Sequence, residues 1–190
     1  MAEPLVPSPN LVPARPAEQS ADARCQAWYG AYGPLVYRYL RFHVDSADTA
    51  EDLTADTFLR VLESGDRYDP ARSEARVWVF TIARNTLRDH FRRTRVRKHV
   101  TLANLHDLAV DAPSPEERLL RQESVDRMLW GVRQLRRADR ELISLRYGSE
   151  LGFAKIAEVL GMREATVRTR MWRALARLRV LLEDGSATTS

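Results

Sequence analysis

The sequence predicts an all-α protein in which two small helical domains are joined by a flexible linker and the C-terminal domain contains a helix-turn-helix. Three observations support this prediction. Apolar residues recur at helical spacing in several segments of the 190-residue chain. No segment has a convincing strand pattern, and the chain contains only 8 glycines. The helical pattern breaks at 96–113, which leads into Asp-Ala-Pro-Ser-Pro at 111–115, and this break separates the two halves.

The two domains are bounded by segments of different composition. Residues 1–23 hold five of the nine prolines and are predicted to form a disordered extension. We expect residues 24–95 to form the first domain, 96–113 the linker and 114–183 the second domain. The polar segment 184–190 is expected to be a disordered tail.

A capping pattern predicts where the second domain begins. In the sequence Ser114-Pro115-Glu116-Glu117, Ser114 can cap a helix and Pro115 fits its first turn. Glu117 then completes a capping box with Ser114. A further short helix is predicted around Asp139–Tyr147, before the helix-turn-helix.

The segment Phe153–Trp172 carries the strongest functional signal. Gly161 lies between two stretches of helical periodicity, where a sharp turn with positive φ is favourable for glycine. The second stretch is rich in arginine and threonine, and such a helix fits the major groove of DNA. An ordinary helical hairpin with a solvated basic face is the alternative. The expected inward-facing residues are Ile156, Ala157, Leu160, Val167 and Met171.

The charge distribution supports binding to a polyanion. The net charge is only +4, but residues 24–75 carry 6 basic and 9 acidic groups, a balance of −3. Residues 76–100 carry 8 basic groups and 1 acidic group (+7), and residues 163–182 carry 6 and 1 (+5). Two separate basic islands fit a protein that contacts a polyanion in two places. Arginine that was merely abundant would be spread more evenly.

A predicted amphipathic helix over 48–62 has an acidic face. Carboxylates recur there every four residues, at Asp48, Asp52 and Asp56. Paired carboxylates also occur in metal and acid–base sites, but no histidine or cysteine is close in sequence. We interpret the face as solvated or partner-binding. The residues expected to face the core are Leu53, Phe58, Val61 and Leu62.

The predicted helix over 77–95 has a basic face instead. Its expected buried stripe is followed, one residue on, by arginines that repeat every three or four residues. Aromatic and amide groups are interleaved with the charge, and aromatic rings beside arginines suit unpaired bases. Core packing is an equally good explanation of Trp78 and Phe80. The buried stripe is Phe80, Ala83, Leu87 and Phe91; the arginines are Arg84, Arg88, Arg92 and Arg95; the interleaved groups are Trp78, Phe80, Asn85 and His90.

Several classes of protein are disfavoured by composition. The one cysteine, Cys25, excludes an internal disulfide and a cysteine-cluster zinc site. The four histidines show no ligand spacing with acidic partners. We therefore expect no metal, no cofactor and no catalytic residues. No apolar run approaches the roughly 20 residues that cross a bilayer, and the N-terminus lacks a secretory pattern, so we expect a cytoplasmic protein without membrane insertion.

Taken together, these motifs resemble a bacterial RNA polymerase sigma factor of the extracytoplasmic-function type, in the sigma-70 family. The resemblance keeps the order of the family's motifs and covers roughly residues 28–182. The matching pieces are AEDLTADTFLRVL at 50–62, YDP at 68–70, WVFTIARNTLRDHFRR at 78–93, SPEE at 114–117 and the helix-turn-helix at 153–172.

The resemblance implies a non-enzymatic subunit that binds core RNA polymerase and directs promoter-specific initiation. Residues 24–95 would correspond to region 2, which contacts core polymerase and the −10 element, and 114–183 to region 4, which contacts the −35 element. In the family, the helix that matches 48–62 docks on the clamp helices of the β′ subunit, and the β subunit is a further expected partner. An anti-sigma factor often holds such proteins inactive, although no residue pattern here identifies one. The implied polymerase-binding residues are Asp48, Glu51, Asp52 and Asp56.

The resemblance also assigns two DNA-binding sets. The loop that matches 64–73 and the helix that matches 76–95 engage and help to melt the −10 element, with Asn85 near the flipped base. The second helix of the helix-turn-helix reads the −35 element. The implied −10 residues are Tyr68, Trp78, Arg84, Asn85, Arg88, Arg92 and Arg93, and the implied −35 residues are Arg163, Thr166, Arg168, Thr169, Arg170, Trp172 and Arg173. Trp172 could instead pack the helix onto its domain, but Val167 and Met171 already supply the inward face.

Two other classes remain open from the residues alone. A helix-turn-helix repressor or activator that does not bind core polymerase would share the second half, and such a regulator usually dimerises on a palindrome. It would leave the acidic face at 48–56 and the basic helix at 76–95 unexplained. A nucleic-acid-processing enzyme would need a metal or acid–base constellation, for which the sequence offers no candidate.

Overall fold

The structure is a computed structural model that describes residues 21–97 and 115–187, with side chains described for 22–94 and 125–183. Every regular element in these ranges is helical and none is a strand, which confirms the predicted all-α class. Most of the predicted N-terminal extension, residues 98–114 with the proposed cap Ser114, and the last three residues lie outside the described residues.

The first domain consists of three long helices. They are α1 (Ala21–Arg41), α2 (Ala47–Glu63) and α3 (Ala75–Arg97), with a 3-10 turn at Gly65–Arg67 between the last two. Ser46 begins α2 as its N-cap, since its hydroxyl accepts a hydrogen bond from the Thr49 amide at 3.3 Å. The three helices enclose a shared apolar core that includes Val36, Tyr39, Leu40, Leu53, Phe58, Val61, Phe80, Ala83 and Leu87.

Leu62 and Phe91 are less buried than predicted, whereas Phe80 lies in the core with the rest of its predicted stripe. Leu62 was expected in the core, but 38% of its surface is exposed, because it lies at the margin of the apolar stripe of α2. Phe80 is fully buried against α1, with its ring 5.8 Å from that of Tyr39, so the alternative in which it stacks on bases is wrong. Phe91 is only half-buried, and the side chain of Arg95 lies outside the described residues.

The second domain begins, as predicted, with Pro115 in the first turn of a helix. Its elements are α4 (Pro115–Gln134), α5 (Arg137–Ile143), a π-helical segment at Ser144–Gly148, α6 (Phe153–Leu160) and α7 (Glu164–Ala187). The last helix therefore runs into the segment 184–190, which the sequence suggested would be disordered. The core of this domain includes Leu129, Val132, Leu135, Leu142, Ile143, Leu145, Ile156, Val167, Met171 and Ala174.

Helices α6 and α7 form the predicted helix-turn-helix. Gly161 ends α6 with φ of 64° in the left-handed region, where a Cβ would add strain. The amide of Met162 donates a hydrogen bond to the Ala157 carbonyl at 2.9 Å, and this bond closes the turn. Ile156, Ala157, Val167 and Met171 are buried as expected, and Leu160 is half-buried. The turn therefore fixes the direction in which α7 leaves the domain.

The two domains pack against each other in this structure. Helix α1 contacts the π-helical segment, and α3 contacts α6. Because of this packing, several candidate site residues on α3 face the second domain.

Candidate nucleic-acid and polymerase interfaces

The face of α7 that is predicted to contact DNA is exposed to solvent. Trp172 is 73% exposed, whereas Val167 and Met171 on the opposite side are buried. The expectation that Trp172 faces outward is therefore confirmed. Of the other predicted −35 residues, Thr166 is half-buried, and those that are exposed are Arg163, Arg168, Thr169, Arg170 and Arg173.

Arg168 is oriented by two neighbours. Its Nε donates to Glu164 Oε1 at 2.9 Å, one helical turn earlier, and its guanidinium lies 4.7 Å from the ring centroid of Phe153. Both groups belong to the helix-turn-helix, so they hold the side chain along the surface at the start of α7. An exposed pair of this kind is weak, and a DNA phosphate or base could replace the carboxylate.

Further arginines extend the basic surface of α7 beyond the predicted set. Arg170, Arg173 and Arg177 meet Arg136, at the start of α5, around a cavity of about 320 Å³. Arg177 NH1 donates to Asp139 Oδ2 at 2.6 Å, and this bond ties α7 to α5. Arg136 and Arg177 were not among the predicted contacts; the run Arg-Arg-Ala-Asp-Arg at 136–140 was a signal that could have indicated the first of them.

Five of the seven predicted −10 residues fall into two groups. The first is an aromatic cluster, in which the ring centroids of Tyr68 and Trp78 are 5.3 Å apart. Trp28 of α1 completes it, at 4.8 Å from Tyr68 and 5.6 Å from Trp78. All three side chains are half-buried, so they pack together and still offer ring edges to solvent. Burial raises the pKa of the Tyr68 phenol.

The second group lines an open cleft between the domains. Asn85, Arg88 and Arg92 of α3 lie on one wall, and Arg137 and Arg140 of α5 lie on the other. The volume of the cleft is about 1370 Å³. The arginines of α5 were not predicted as part of this surface, since no local pattern relates them to α3.

Acidic groups partly neutralise this cleft. Asp89 accepts a hydrogen bond from Arg60 NH1 at 2.9 Å, and this bond holds the pKa of Asp89 below its ordinary value. The same carboxylate lies 3.3 Å from Arg92 NH2. Arg88 is exposed and takes part in none of the ion pairs of the described residues, so its guanidinium is available to a phosphate.

Two other predicted −10 residues lie outside the cleft lining. Arg93 is exposed but is not among the residues that line the cleft. Arg84 is half-buried, and its Nε donates to Glu141 Oε1 of α5 at 3.2 Å. The structure therefore does not bring all seven predicted −10 residues into one surface.

The four acidic residues of α2 that were predicted to bind polymerase share an exposed face. Asp48, Glu51, Asp52 and Asp56 are all exposed, and none is paired in the ion pairs of the described residues. Leu59 is 58% exposed and Leu62 38% exposed on the same side of the helix. Two apolar side chains bordered by carboxylates form the kind of surface that docks onto a partner protein. The apolar pair was not predicted: Leu62 was assigned to the core, and Leu59 was assigned to no surface.

No metal-binding constellation appears in the described parts of the chain, where no group of three or more histidine, cysteine or acidic side chains could hold an ion. Cys25 is a half-buried free thiol whose Sγ lies 3.6 Å from the Phe58 carbonyl oxygen. None of the helices in these ranges has the length and apolarity required to cross a membrane.

Comparison with known families and proteins agrees with this geometry. Residues 28–97 match the model of sigma-70 region 2, and residues 132–178 match that of sigma-70 region 4. The chain is 31% identical to the ECF RNA polymerase sigma factor SigL of Mycobacterium tuberculosis over 175 residues, which are 90% of this chain and 96% of SigL. It is 36% identical to the ECF sigma factor BldN of Streptomyces coelicolor over 156 residues, 82% of this chain but only 59% of BldN.

Solved structures show the same fold. CnrH, in its complex with the cytosolic domain of CnrY, superposes with a TM-score of 0.64 at 24% identity and covers 86% of this chain and 90% of CnrH. Proteins of the matched family act as transcription initiation factors and not as enzymes. With both conserved regions in order and a relative matched along nearly its whole length, this chain belongs to the sigma-70 family, as a sigma factor of the extracytoplasmic-function type.

Proposed function

We propose that the chain directs promoter-specific transcription initiation by holding core RNA polymerase with α2, the −10 element with α3 and the −35 element with α7. It would have no catalytic activity of its own and would act in the cytoplasm, where the polymerase works. The observation that carries the proposal is the outward face of α7, where Trp172 is 73% exposed among arginines while Val167 and Met171 hold the helix to its domain.

On the duplex, α7 would lie in the major groove with Arg168, Thr169, Trp172 and Arg173 towards the bases. A bidentate arginine–guanine contact discriminates against other bases by about 1–3 kcal/mol. Arg163, Thr166 and Arg170 would make contacts at the edges of the same surface. Because much of the affinity would come from arginines on phosphates, we expect DNA binding to weaken steeply with salt.

At the −10 element, α3 would present its polar side to the melted strand. From Trp78 to Arg92 this side extends about 21 Å, at 1.5 Å per residue. The aromatic cluster at one end offers ring edges for stacking, and Asn85 with Arg88 and Arg92 offers hydrogen bonds and charge at the other. Extruding a base costs a few kcal/mol, which a pocket of this kind must offset.

On the polymerase, the acidic face of α2 would dock onto the clamp helices of the β′ subunit, and the second domain would contact the β subunit. Leu59 and Leu62 would supply the apolar centre of the α2 interface, with Asp48, Glu51, Asp52 and Asp56 around it. An anti-sigma factor is a further proposed partner. A protein of that class, NepR, accompanies the sigma factor RpoE from Bartonella quintana in its solved complex.

Run-off transcription tests this function directly. Core polymerase with this protein should initiate at specific sites on a pool of genomic promoters, and core polymerase alone should not. The variant Asp52→Lys/Asp56→Lys should lose at least tenfold in affinity for core polymerase, because both carboxylates are exposed on the proposed docking face. It should keep wild-type affinity for duplex DNA, since α7 is unchanged.

A matched control variant makes the same change in net charge at positions away from the acidic face of α2. Asp22→Lys/Asp126→Lys replaces exposed carboxylates on α1 and α4 and should bind core polymerase like the wild type. Equal loss in both double variants would show that general charge, and not the α2 face, governs binding. A stable dimer that binds palindromic DNA but not core polymerase would reject the proposed function altogether.

A further inference from the structure

Four arginines surround a small cavity where α7 packs against the start of α5. This is the cavity of about 320 Å³ that lies beside the predicted −35 surface. Asp139 is the one acidic residue in its lining, and this buried carboxylate already accepts a hydrogen bond from Arg177 at 2.6 Å. Four positive charges therefore face a single negative charge. The lining arginines are Arg136, Arg170, Arg173 and Arg177.

Three of these arginines have no acidic partner. Arg136, Arg170 and Arg173 are exposed and take part in none of the ion pairs of the described residues. Guanidinium groups held close together repel one another, so an anion that binds between them gains more than it would beside a single arginine. A phosphate group suits such a set, because each guanidinium can donate two parallel hydrogen bonds to its oxygens.

The backbone around the cavity is fixed without any ligand. The carbonyl of Arg136 accepts hydrogen bonds from the amides of Asp139 and Arg140 at 2.9 and 3.0 Å, in the first turn of α5. The bond between Arg177 and Asp139 then ties α7 to that turn. A site whose backbone is already ordered has less conformational entropy to lose when it binds a ligand.

The arginines of α7 that line the cavity lie beside the face that is predicted to contact bases. At about 100° per residue, Arg170 and Arg177 are about 140–160° around the helix from Trp172. They are only about 40–60° from Ala174, which is buried. Arg173 is intermediate, at about 100° from Trp172. The cavity therefore adjoins the DNA-facing side of α7 and is continuous with it through Arg173.

The dimensions of DNA place phosphates next to this flank of the helix. The major groove is about 12 Å wide, and an α-helix with its side chains is about 10–12 Å across. A helix that lies in the groove therefore directs one side to the base edges, and its flanks face the sugar–phosphate strands that border the groove. In the proposed position of α7, the flank with the cavity faces one of these strands.

We propose that Arg136, Arg170 and Arg177 form a phosphate-binding site, which holds one backbone phosphate of the duplex beside the −35 bases. The inference rests on the proposed function for the position of α7, and it adds a contact from α5, outside the helix-turn-helix. Phosphate contacts carry no sequence information but set the register and orientation of a protein on the duplex. The site therefore orients α7 in the groove. A free anion with a phosphate group has the same chemistry, and an experiment with inorganic phosphate separates the two sources.

Duplex binding by the full chain tests the site directly. Because a phosphate contact is independent of sequence, the probe is a fluorescein-labelled duplex of mixed sequence, and anisotropy measures binding at several salt concentrations. Arg136→Gln should weaken binding about three- to tenfold at low salt, and the slope of log K against log salt should become smaller by about 0.9. Arg136 is exposed, so the substitution leaves the fold intact.

Two variants control for net charge and for side-chain chemistry. Arg127→Gln removes an exposed arginine of α4 that does not line the cavity, and it should bind the duplex like the wild type. Arg136→Lys should recover the salt slope but not the full affinity, because lysine keeps the charge and lacks the planar fork that binds two oxygens. Wild-type affinity and slope in Arg136→Gln, or an equal loss in Arg127→Gln, would overturn the phosphate site.

A second comparison separates a phosphate contact from a base contact. It uses a duplex with the −35 sequence of a promoter that run-off transcription has identified. On this duplex, Arg136→Gln should lose affinity by the same factor as on the mixed sequence, whereas Trp172→Ala should lose more on the promoter duplex. A selective loss in Arg136→Gln would show that this arginine reads a base, and its assignment to a phosphate would be wrong.

Inorganic phosphate distinguishes a backbone phosphate from a free anion. When millimolar phosphate replaces chloride at equal ionic strength, the thermal midpoint should shift equally in the wild type and in Arg136→Gln. A rise confined to the wild type, with unchanged duplex binding in Arg136→Gln, would overturn the DNA contact in favour of a free anion.

Transcription with core polymerase separates failure of the site from failure of the proposed function. The expected duplex losses in a chain that does not support initiation would reject the proposed function and leave the phosphate site intact. Normal initiation with wild-type duplex binding in Arg136→Gln would reject the phosphate site alone. A wild-type chain that binds no duplex at low salt would overturn both.

Discussion

His43 makes the stability of this protein sensitive to mild acid. Burial, with Arg140 and Arg137 nearby, lowers its pKa to about 3, compared with about 6.5 for an ordinary histidine. The folded state therefore keeps His43 neutral, whereas the unfolded state protonates it below pH 6.5. The stability that this neutral group contributes is fully present above pH 6.5 and is lost as the pH falls from 6.5 towards 3.

The size of the effect follows from the width of that window. Each pH unit inside it costs about 1.4 kcal/mol, so acidification from pH 7 to pH 5 should remove about 2 kcal/mol through His43 alone. Urea denaturation at pH 7, 6 and 5 measures this loss. In His43→Gln, which keeps a polar group facing Ser144 but cannot titrate, the loss should be smaller by that amount.

His90→Gln is the control, because it removes a different, half-buried histidine and leaves His43 in place. Most of the acid loss should persist in this variant. If the wild type and His43→Gln lose stability in parallel between pH 6.5 and pH 5, the reasoning is refuted and His43 is not held neutral by the fold.

Two more predictions concern the exposed faces of α2 and α7. Leu59→Ala should change the free energy of unfolding by less than about 0.5 kcal/mol, since the side chain is 58% exposed, yet weaken binding to core polymerase about tenfold in a competition assay. Unchanged binding would show that Leu59 is not part of the interface with core polymerase. Trp172→Ala should leave the thermal midpoint unchanged and weaken binding to a −35 duplex about tenfold. Met171→Ala, one residue away but only 3% exposed, should instead cost about 2–5 kcal/mol of stability; equal losses of stability in the two variants would contradict the assigned faces.

Local signals were enough to predict the helices and the helix-turn-helix. Gly161 was placed at the turn because a left-handed residue is needed there, and its φ of 64° confirms this. The buried positions of Val167 and Met171, and with them the exposure of Trp172, follow from helical periodicity alone. The acidic face of α2 was visible for the same reason.

Contacts between residues far apart in sequence were not predictable in this way. Arg84 seemed a free member of a basic stripe, but its partner Glu141 lies 57 residues further along the chain. Trp28 joins Tyr68 and Trp78 only because α1 crosses α3 at that point. Exposed apolar residues such as Leu59 are also hard to recognise, since helical periodicity does not distinguish the margin of a core from the centre of a docking face.

The positions of the tryptophans make the intrinsic fluorescence of the protein different in its two domains. Trp28 and Trp78 lie within 5.6 Å of each other in the half-buried cluster of the first domain. The second domain carries Trp172 and Trp130, which are 73% and 46% exposed. Acrylamide should therefore quench the emission of the second domain first, and a ligand that covers α7 should protect the most accessible ring. Fluorescence of the unlabelled chain can thus report which half of the molecule is occupied.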